Sequence, residues 1–528
     1  MSEVRARIFF RSFIGAAHII VSLYFIWLSK HMVDVAIGSQ QESIVGSVIQ
    51  MAVCVLLQIA LSSVGSRLDV KNSTTLRNGL RYRFFRHIMT SKWSGREGMH
   101  TGEMMNRLES DVYKVADTMS RTLPAVLISG FQFVVAFIFL GSFDWRLSVA
   151  MVVIMPMALL ASKAYVKYTR RYNKDIREMD SRLSAYMQEN IQNRTLISTM
   201  KYTPQTMDDF ESMQSTLGDK ILRYTDFSLF SRRMVQLGFA LGYLVGFTWC
   251  IIGLREGSIS FGVMTALLQL VAQVQRPIVE FTRQLPSFIH ITTSLDRLAD
   301  ISNMPLELFD DEVRLSGNVG VRVKDVEFSY PSDGLVIKGL NCDIKPLSMN
   351  AVVGPTGIGK SSLVRLILAL VEPQKGSIEL YDDTQSVKVS SATRCNIAYV
   401  PQGNSLLSGT VRSNLLLANP NATDEQMREA LHTAVADFVF DLREGLDTQC
   451  MEKGSGFSEG QAQRIAIARG LLRSGSVLLL DEPTASLDIE TEKTLLQRIR
   501  EYANNKTIII ITHSATTATK CENIISLD

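Results

Sequence analysis

Gly354-Pro355-Thr356-Gly357-Ile358-Gly359-Lys360-Ser361 is the stretch on which the fold of the C-terminal part turns. Its spacing is GxxxxGK followed by Ser or Thr. Asn350–Val353 before it reads as a strand, and Ser362–Leu370 after it reads as a helix. Strand, glycine-rich loop and helix form the setting in which this motif grips phosphate. The glycines let successive backbone N–H groups converge on the anion, and the helix N-terminus adds a favourable field. Lys360 offers a point charge to the β- and γ-phosphates, and Ser361 a hydroxyl to Mg2+.

Downstream and just upstream of the loop, from about Val319, short strands alternate with helices, Val321–Phe328 being the first strand. A further strand, Ser476–Leu480, runs into Asp481-Glu482. Two carboxylates at the end of a buried run are costly unless a cation or a proton transfer uses them. Asp481 is expected to hold Mg2+ through water, and Glu482 to orient and deprotonate an attacking water. A carboxylate that merely ends a strand is the plainer alternative.

The N-terminal part is of another kind. A bilayer core takes about 20 apolar residues per helix. Six segments qualify: Ile8–Leu28, Ser43–Gly65, Leu123–Phe143, Trp145–Tyr165, Met234–Leu254 and Phe261–Phe281. Basic residues crowd the stretch after the second segment (Arg67, Lys71, Arg77, Arg81, Arg83, Arg86) and after the fourth (Lys163, Lys167, Arg170, Arg171, Lys174, Arg177). The remaining connections are short and nearly uncharged. By the positive-inside rule, the N-terminus, both long connections and the C-terminal part are cytosolic. The long connections have few helix breakers, so the membrane helices are expected to continue into the cytosol and turn back near Arg96–Met104 and Asn193–Met200. Gln269, Gln273, Arg276 and Glu280 recur on one face of the sixth segment. Either they line an aqueous cavity or the lower helix has already left the lipid; the cavity is the stronger reading for Gln269 and Gln273.

Over 528 residues, 55 Lys and Arg stand against 52 Asp and Glu, a net charge of +3, which argues against a dedicated nucleic-acid binder. The length calls for at least two domains. The six cysteines are scattered without a CxxC pair, so a structural zinc site is not expected. No cleavable signal peptide is evident, and insertion is expected to begin with the first helix itself.

Between the two phosphate-site motifs lies Gly456-Phe457-Ser458-Glu459-Gly460-Gln461, followed by Arg464-Ile465-Ala466-Ile467-Ala468-Arg469. This resembles the LSGGQ signature and its helix in ATP-binding cassette (ABC) transporters. Tyr330 in Phe328-Ser329-Tyr330-Pro331 is similar to that family's adenine-stacking aromatic, Gln402 to its Q-loop glutamine, Ser486-Leu487-Asp488 to its D-loop and His513 to its switch histidine. Gly102-Glu103 with Asn106-Arg107-Leu108, and Glu452-Lys453-Gly454, resemble segments of exporter-type half-transporters. The resemblance covers essentially the whole chain.

It implies a six-helix, all-α transmembrane domain over 1–305, a linker over 306–318 and an α/β cassette with a helical subdomain over 319–528. It places ATP against Tyr330, Gly354, Pro355, Thr356, Gly357, Ile358, Gly359, Lys360, Ser361 and Ser362, and Mg2+ against Ser361, Gln402 and Asp481. Glu482, Gln402 and His513 would serve hydrolysis. Ser458, Gly460, Gln461 and Asp488 would touch ATP held by a second subunit, so that two half-transporters, identical or different, complete two sites. The expected activity is ATP-driven export of an amphipathic substrate (lipid, drug, peptide or glycolipid) across a cytoplasmic membrane. An ATP-gated channel or sensor and an importer of the same shape are the rivals. Two departures stand out. Glu459 replaces the first glycine of LSGGQ and is expected to point outward, and the chain ends soon after His513, so the last helices of the cassette are expected to be absent.

Overall fold

The computed structural model describes residues 2–37, 44–92, 101–143, 145–307, 311–330, 334–355, 357–451 and 456–527. The chain divides into two compact units, one of residues 1–86 with 102–302 and one of residues 87–101 with 303–528.

The first unit is helical. Its helices are α1 (Ser2–Ala36), α2 (Ile44–Thr90), α3 (Thr101–Asn106), α4 (Val112–Asp117), α5 (Leu123–Phe143), α6 (Trp145–Gln192), α7 (Arg194–Thr199), α8 (Thr203–Arg255) and α9 (Phe261–Ser302), the end of α2 and the start of α3 belonging to the second unit, with wider π-helical turns at Arg107–Asp111 and Thr118–Thr122. The six apolar segments fall on α1, α2, α5, α6, α8 and α9. Among the described residues four helices are long and apolar enough to cross a membrane: Ala6–Ala36, Ile44–Thr90, Gly102–Phe143 and Gln236–Arg255. Most side chains of Trp145–Tyr165 lie outside the described set, and Phe261–Phe281 is diluted by its own Gln and Arg residues. At 1.5 Å per residue, the 47 to 53 residues of α2, α6 and α8 extend roughly 70 Å or more, about twice the hydrocarbon thickness. Their ends therefore lie outside the bilayer.

Helix α9 carries the core of this unit. Ala266, Leu267, Leu270, Val271 and Val274, spaced three and four apart, pack against Ile19, Leu23 and Ile26 of α1, Ala136 and Leu140 of α5 and Cys250 of α8. Leu56 and Ile59 of α2 stay 67% and 58% exposed, as the outer face of a membrane helix does. Gln269 donates to Ser29 Oγ at 3.4 Å, and Gln273 donates to Ser22 Oγ at 3.0 Å while accepting from Gln132 at 2.6 Å. These two glutamines thus tie α9 to α1 and α5, the way polar groups hold helices together in lipid. Arg276 is exposed and Glu280 half-buried. Further along, Arg107 is bonded to Glu103 at 2.7 Å and Asp300 at 2.9 Å. Helices α6 and α8 pair through Tyr168, Tyr172 and Phe227, and Tyr186 donates to the Thr206 carbonyl. Helix α7, none of whose residues is buried, occupies the expected turn at Asn193–Met200. Of the other expected turn, Arg96–Met104, residues 96–100 lie outside the described set and α3 begins at Thr101.

The second unit is α/β. An antiparallel sheet, in the order β2-β1-β4-β5, joins β1 (Gly320–Ser329), β2 (Leu335–Ile344), β4 (Lys375–Tyr381) and β5 (Ser386–Lys388). A parallel sheet, in the order β11-β3-β10-β9-β6, joins β3 (Met349–Val353), β6 (Ile397–Val400), β9 (Val477–Asp481), β10 (Thr507–Ile511) and β11 (Asn523–Ser526). The short strands β7 (Gly409–Thr410) and β8 (Gln449–Cys450) form a separate pair. The inner strands β9 and β10 of the parallel sheet are buried on both faces, which is why they read as apolar runs, whereas the edge strand β11 is largely exposed. Ile508 and Ile510 face one core with the helices α11 (Val411–Leu416), α12 (Asp424–Thr433), α13 (Glu459–Leu472) and α14 (Ile489–Tyr502). Ile509 and Ile511 face a second core shared with α10 (Lys360–Ile367) and the antiparallel sheet. A short α15 (Ala515–Ala518) precedes β11. The register pairs Ile511 with both Val352 and Asp481, and Leu480 with Val400, so four strands end at one level.

Candidate functional site

Ligands of open α/β sheets bind beyond the carboxyl ends of the parallel strands. Here those ends deliver the glycine-rich loop from β3, His513 from β10, Asp481-Glu482 from β9 and Gln402 from β6.

The loop leads straight into α10. Gly359 caps the helix at φ 115°, and a side chain there would also crowd Val336, its Cβ 3.0 Å from Cγ1. Lys360 is buried, its ammonium donating to the carbonyls of Gly354 at 2.6 Å and Pro355 at 3.2 Å. These bonds already have an ionised donor and hold the ammonium against the loop. Ser361 is exposed at the start of the helix and Ser362 is buried. Gly357 and Ile358 complete the turn, and Thr356 lies outside the described residues.

Glu482 sits just past β9 with φ 47°, a conformation rare for a non-glycine residue, and its N–H donates to the Ile511 carbonyl. Both carboxylate oxygens are engaged. Gln402 Nε2 donates to Oε2 at 2.6 Å, and His513 Nδ1 lies 3.2 Å from Oε1. The Glu482 side chain remains 16% exposed. Three residues that lie far apart in the chain therefore meet at the mouth of the loop.

Asp481 is buried beside them. Burial, helped by the neighbouring charge of Glu482, pushes its carboxyl up to about 6, and the Tyr399 hydroxyl that bonds to it is itself pushed up to about 12, chiefly by burial. An exposed Ser361 hydroxyl, a buried carboxylate and an amide oxygen from Gln402 make an all-oxygen donor set, which suits a hard cation such as Mg2+. Among the described residues no group of three or more His, Cys, Asp or Glu could hold a metal alone; this set fits a cation that also binds the nucleotide's own oxygens. The sequence reading passed over Tyr399 and Arg365. Arg365 lies near enough to lower the Asp481 pKa and bonds the Tyr330 hydroxyl at 2.7 Å. Its place one turn beyond Ser361 on α10 was the available signal.

Tyr330 is only 5% exposed. Its ring stands edge-on to Phe328, and its hydroxyl is 3.3 Å from Ser362 Oγ. To stack on a base it must turn out of this packing.

The signature segment is closed on itself. The Gln461 N–H donates to Ser458 Oγ, and the Ser458 N–H donates to Gln461 Oε1, a capping box at the N-terminus of α13. Glu459 is exposed in the first turn, where an acid suits the helix dipole. A Cβ on Gly460 would lie 2.7 Å from the Ser486 carbonyl, so the D-loop rests directly on this glycine. Asp488 caps α14, accepting from the N–H groups of Glu490 and Thr491. Phe457 packs beside Phe438, their ring centres 6.2 Å apart. Glu452, Lys453 and Gly454 lie outside the described residues.

Fold and site together define a membrane-embedded phosphate-loop ATPase. Residues 8–278 match the ABC transporter transmembrane region and residues 337–485 the ABC transporter family. The chain is 26% identical, over 91% of its length and 68% of the relative's, to a leukotoxin translocation ATP-binding protein of Pasteurella haemolytica-like sp. (strain 5943B). It is equally similar, over the same shares, to an exotoxin translocation ATP-binding protein of Pasteurella aerogenes. Its fold matches that of a bacterial Atm1-family ABC exporter with ATP bound, with a TM-score of 0.83 at 19% identity over 100% of this chain and 93% of that one. The chain belongs to the ABC transporter family and carries a transmembrane region and an ATP-binding region in one polypeptide, an ATPase coupled to transport.

Proposed function

We propose that this chain is one half of an exporter that moves an amphipathic substrate out across the cytoplasmic membrane, its cassette lying in the cytosol. The observation that carries the reading is the convergence of Gln402 and His513 on Glu482, beside the loop that holds Lys360. A carboxylate whose oxygens are both hydrogen-bonded is fixed in direction, as a residue must be that orients and deprotonates an attacking water. Gln402 and His513 then sense the γ-phosphate, because its arrival competes for the bonds they now make to Glu482. Lys360 turns from its loop carbonyls to the phosphates. Ser361, Asp481 and Gln402 would hold Mg2+, which would supply charge neutralisation at the phosphate oxygens.

Ser458, Gly460, Gln461 and Asp488 stand on another part of the cassette surface. In this reading they close over ATP held by Lys360 of a second half-transporter, the N-terminus of α13 supplying the favourable field. Two sandwiched nucleotides draw the cassettes together and switch the membrane bundle from inward- to outward-facing. The domain limits that fit this division of labour are 1–305, 306–318 and 319–528. Arg276 is exposed and is the member of the polar stripe best placed to meet cargo, since Gln269 and Gln273 are committed to α1 and α5. Relatives named for toxin translocation favour a polypeptide among the amphipathic cargos.

The test is transport. Inside-out vesicles carrying the protein should accumulate a fluorescent amphipathic peptide against its gradient when ATP is added. Equilibration without accumulation would indicate a channel, and ATP-driven loss of peptide preloaded into the vesicles an importer.

A further inference from the structure

The phosphate-loop helix has a back end, and it is tied down. Helix α10 ends at Ile367, and Ala369 follows in a left-handed conformation at φ 49°. The last carbonyls of a helix need partners from elsewhere, and a cation there suits the dipole. Arg394, half-buried just before β6, supplies both. Its Nε donates to the Leu368 carbonyl at 2.7 Å, and its Nη2 to that of Ala369 at 2.8 Å. The same guanidinium grips Glu307 with two bonds, at 2.5 and 3.0 Å. Such a forked, charge-assisted pair is strong and fixes direction.

Glu307 lies in the segment that follows α9, and that segment is stitched to the end of α2. The Glu307 N–H donates to the Thr90 carbonyl at 2.9 Å, the Lys92 N–H to the Pro305 carbonyl at 2.8 Å, and Ser91 and Leu306 form an antiparallel bridge between them. His87 Nε2 meets the Met304 carbonyl at 3.1 Å. Lys92 also pairs with Glu372, two exposed side chains whose contribution is small. All of these residues belong to one compact unit, and α2 (Ile44–Thr90) ends within it.

We propose that Arg394 and Glu307 are positioning residues forming a relay that carries the nucleotide state of α10 to the end of α2. The reasoning rests on the proposed nucleotide site: phosphate pulls on the N-terminus of α10, and a rigid helix of eight residues moves its C-terminus with it. The carbonyls of Leu368 and Ala369 then carry Arg394, and Arg394 carries Glu307 and the bridge to residues 90–92. An exposed ion pair would slacken under such a load. This one is buried enough, and forked, so that it moves as a piece.

Hydrogen–deuterium exchange on the full chain in nanodiscs tests this, with and without a non-hydrolysable ATP analogue. In the wild-type protein the analogue should slow exchange both in the loop, residues 354–362, and in residues 87–92. In Glu307→Gln the loop response should persist while the response at 87–92 falls from about tenfold to below about twofold. Arg394→Lys keeps the charge but loses the fork and should fall between. The relay is wrong if both variants keep the wild-type response at 87–92, or if both segments lose their response together, the mark of a purely structural role. A wild-type loop that does not respond to the analogue would refute the nucleotide site itself, and the relay with it.

Discussion

The two surfaces of the cassette proposed to face nucleotide are built on opposite plans. On the phosphate-loop side, Lys360, Asp481, Glu482, Gln402 and His513 converge from four strand ends, and their charges are held close to one another. On the signature side, none of the described residues Gly456–Gln461 is basic. Ser458 and Gln461 satisfy each other, Glu459 is exposed, and what remains is the N-terminus of α13 with Gly460 pressed against the D-loop. In the proposed reading the first surface does the chemistry and the second completes a shape and a field. A site assembled from both explains why one chain carries each once.

The sharpest way to break this comparison is at Glu482. Glu482→Gln keeps the size of the side chain but removes the base and turns one accepting oxygen into a donor, so hydrolysis should fall by about a thousandfold while ATP binding, read by a fluorescent analogue, is retained. Normal turnover would remove Glu482 from its role.

The charged surface should also be visible in stability. The Asp481 carboxyl is raised from 3.8 to about 6, so the folded protein binds its proton more tightly than the unfolded chain does. The contribution of Asp481 to the stability of the nucleotide-free protein should therefore decline as pH rises from about 4 to about 6, by at most about 3 kcal/mol, and be flat above that. Thermal melts of Asp481→Asn should lack this decline, whereas Ser458→Ala should retain it.

Gly460→Ala tests the other surface. The added methyl would meet the Ser486 carbonyl and shift the D-loop, so hydrolysis should drop about tenfold, with ATP affinity of the phosphate loop unchanged. The smallest effect belongs to Glu459→Gly. The side chain is exposed and adds only its interaction with the helix dipole, so hydrolysis should change by less than about twofold.

The two surfaces also differ in how far the sequence disclosed them. The phosphate loop, Asp481 and Glu482 were legible because a glycine pattern and a carboxylate at a strand end are local signals. Gln402 and His513 came only from family resemblance, since nothing local says that β6, β9 and β10 lie side by side; that order is set by long-range register. The six apolar segments all fall on helices, though among the described residues length and composition alone single out four. What Gln269 and Gln273 touch was not, because a polar stripe looks the same whether it faces water or the serines of a neighbouring helix. The burial of Tyr330 was equally hidden, being decided by Phe328, Arg365 and Ser362 together. Arg394 and Glu307 carry no motif at all; only the fold brings them together.

The central claim is that neither surface is a catalytic site without its complement from another chain. It is tested most directly by reconstituting the protein in nanodiscs sorted to hold one chain or two and measuring ATP hydrolysis per chain. Two-chain discs should turn over ATP and be silenced by Glu482→Gln, while one-chain discs bind ATP with little turnover. Hydrolysis in one-chain discs at the two-chain rate would contradict the shared site.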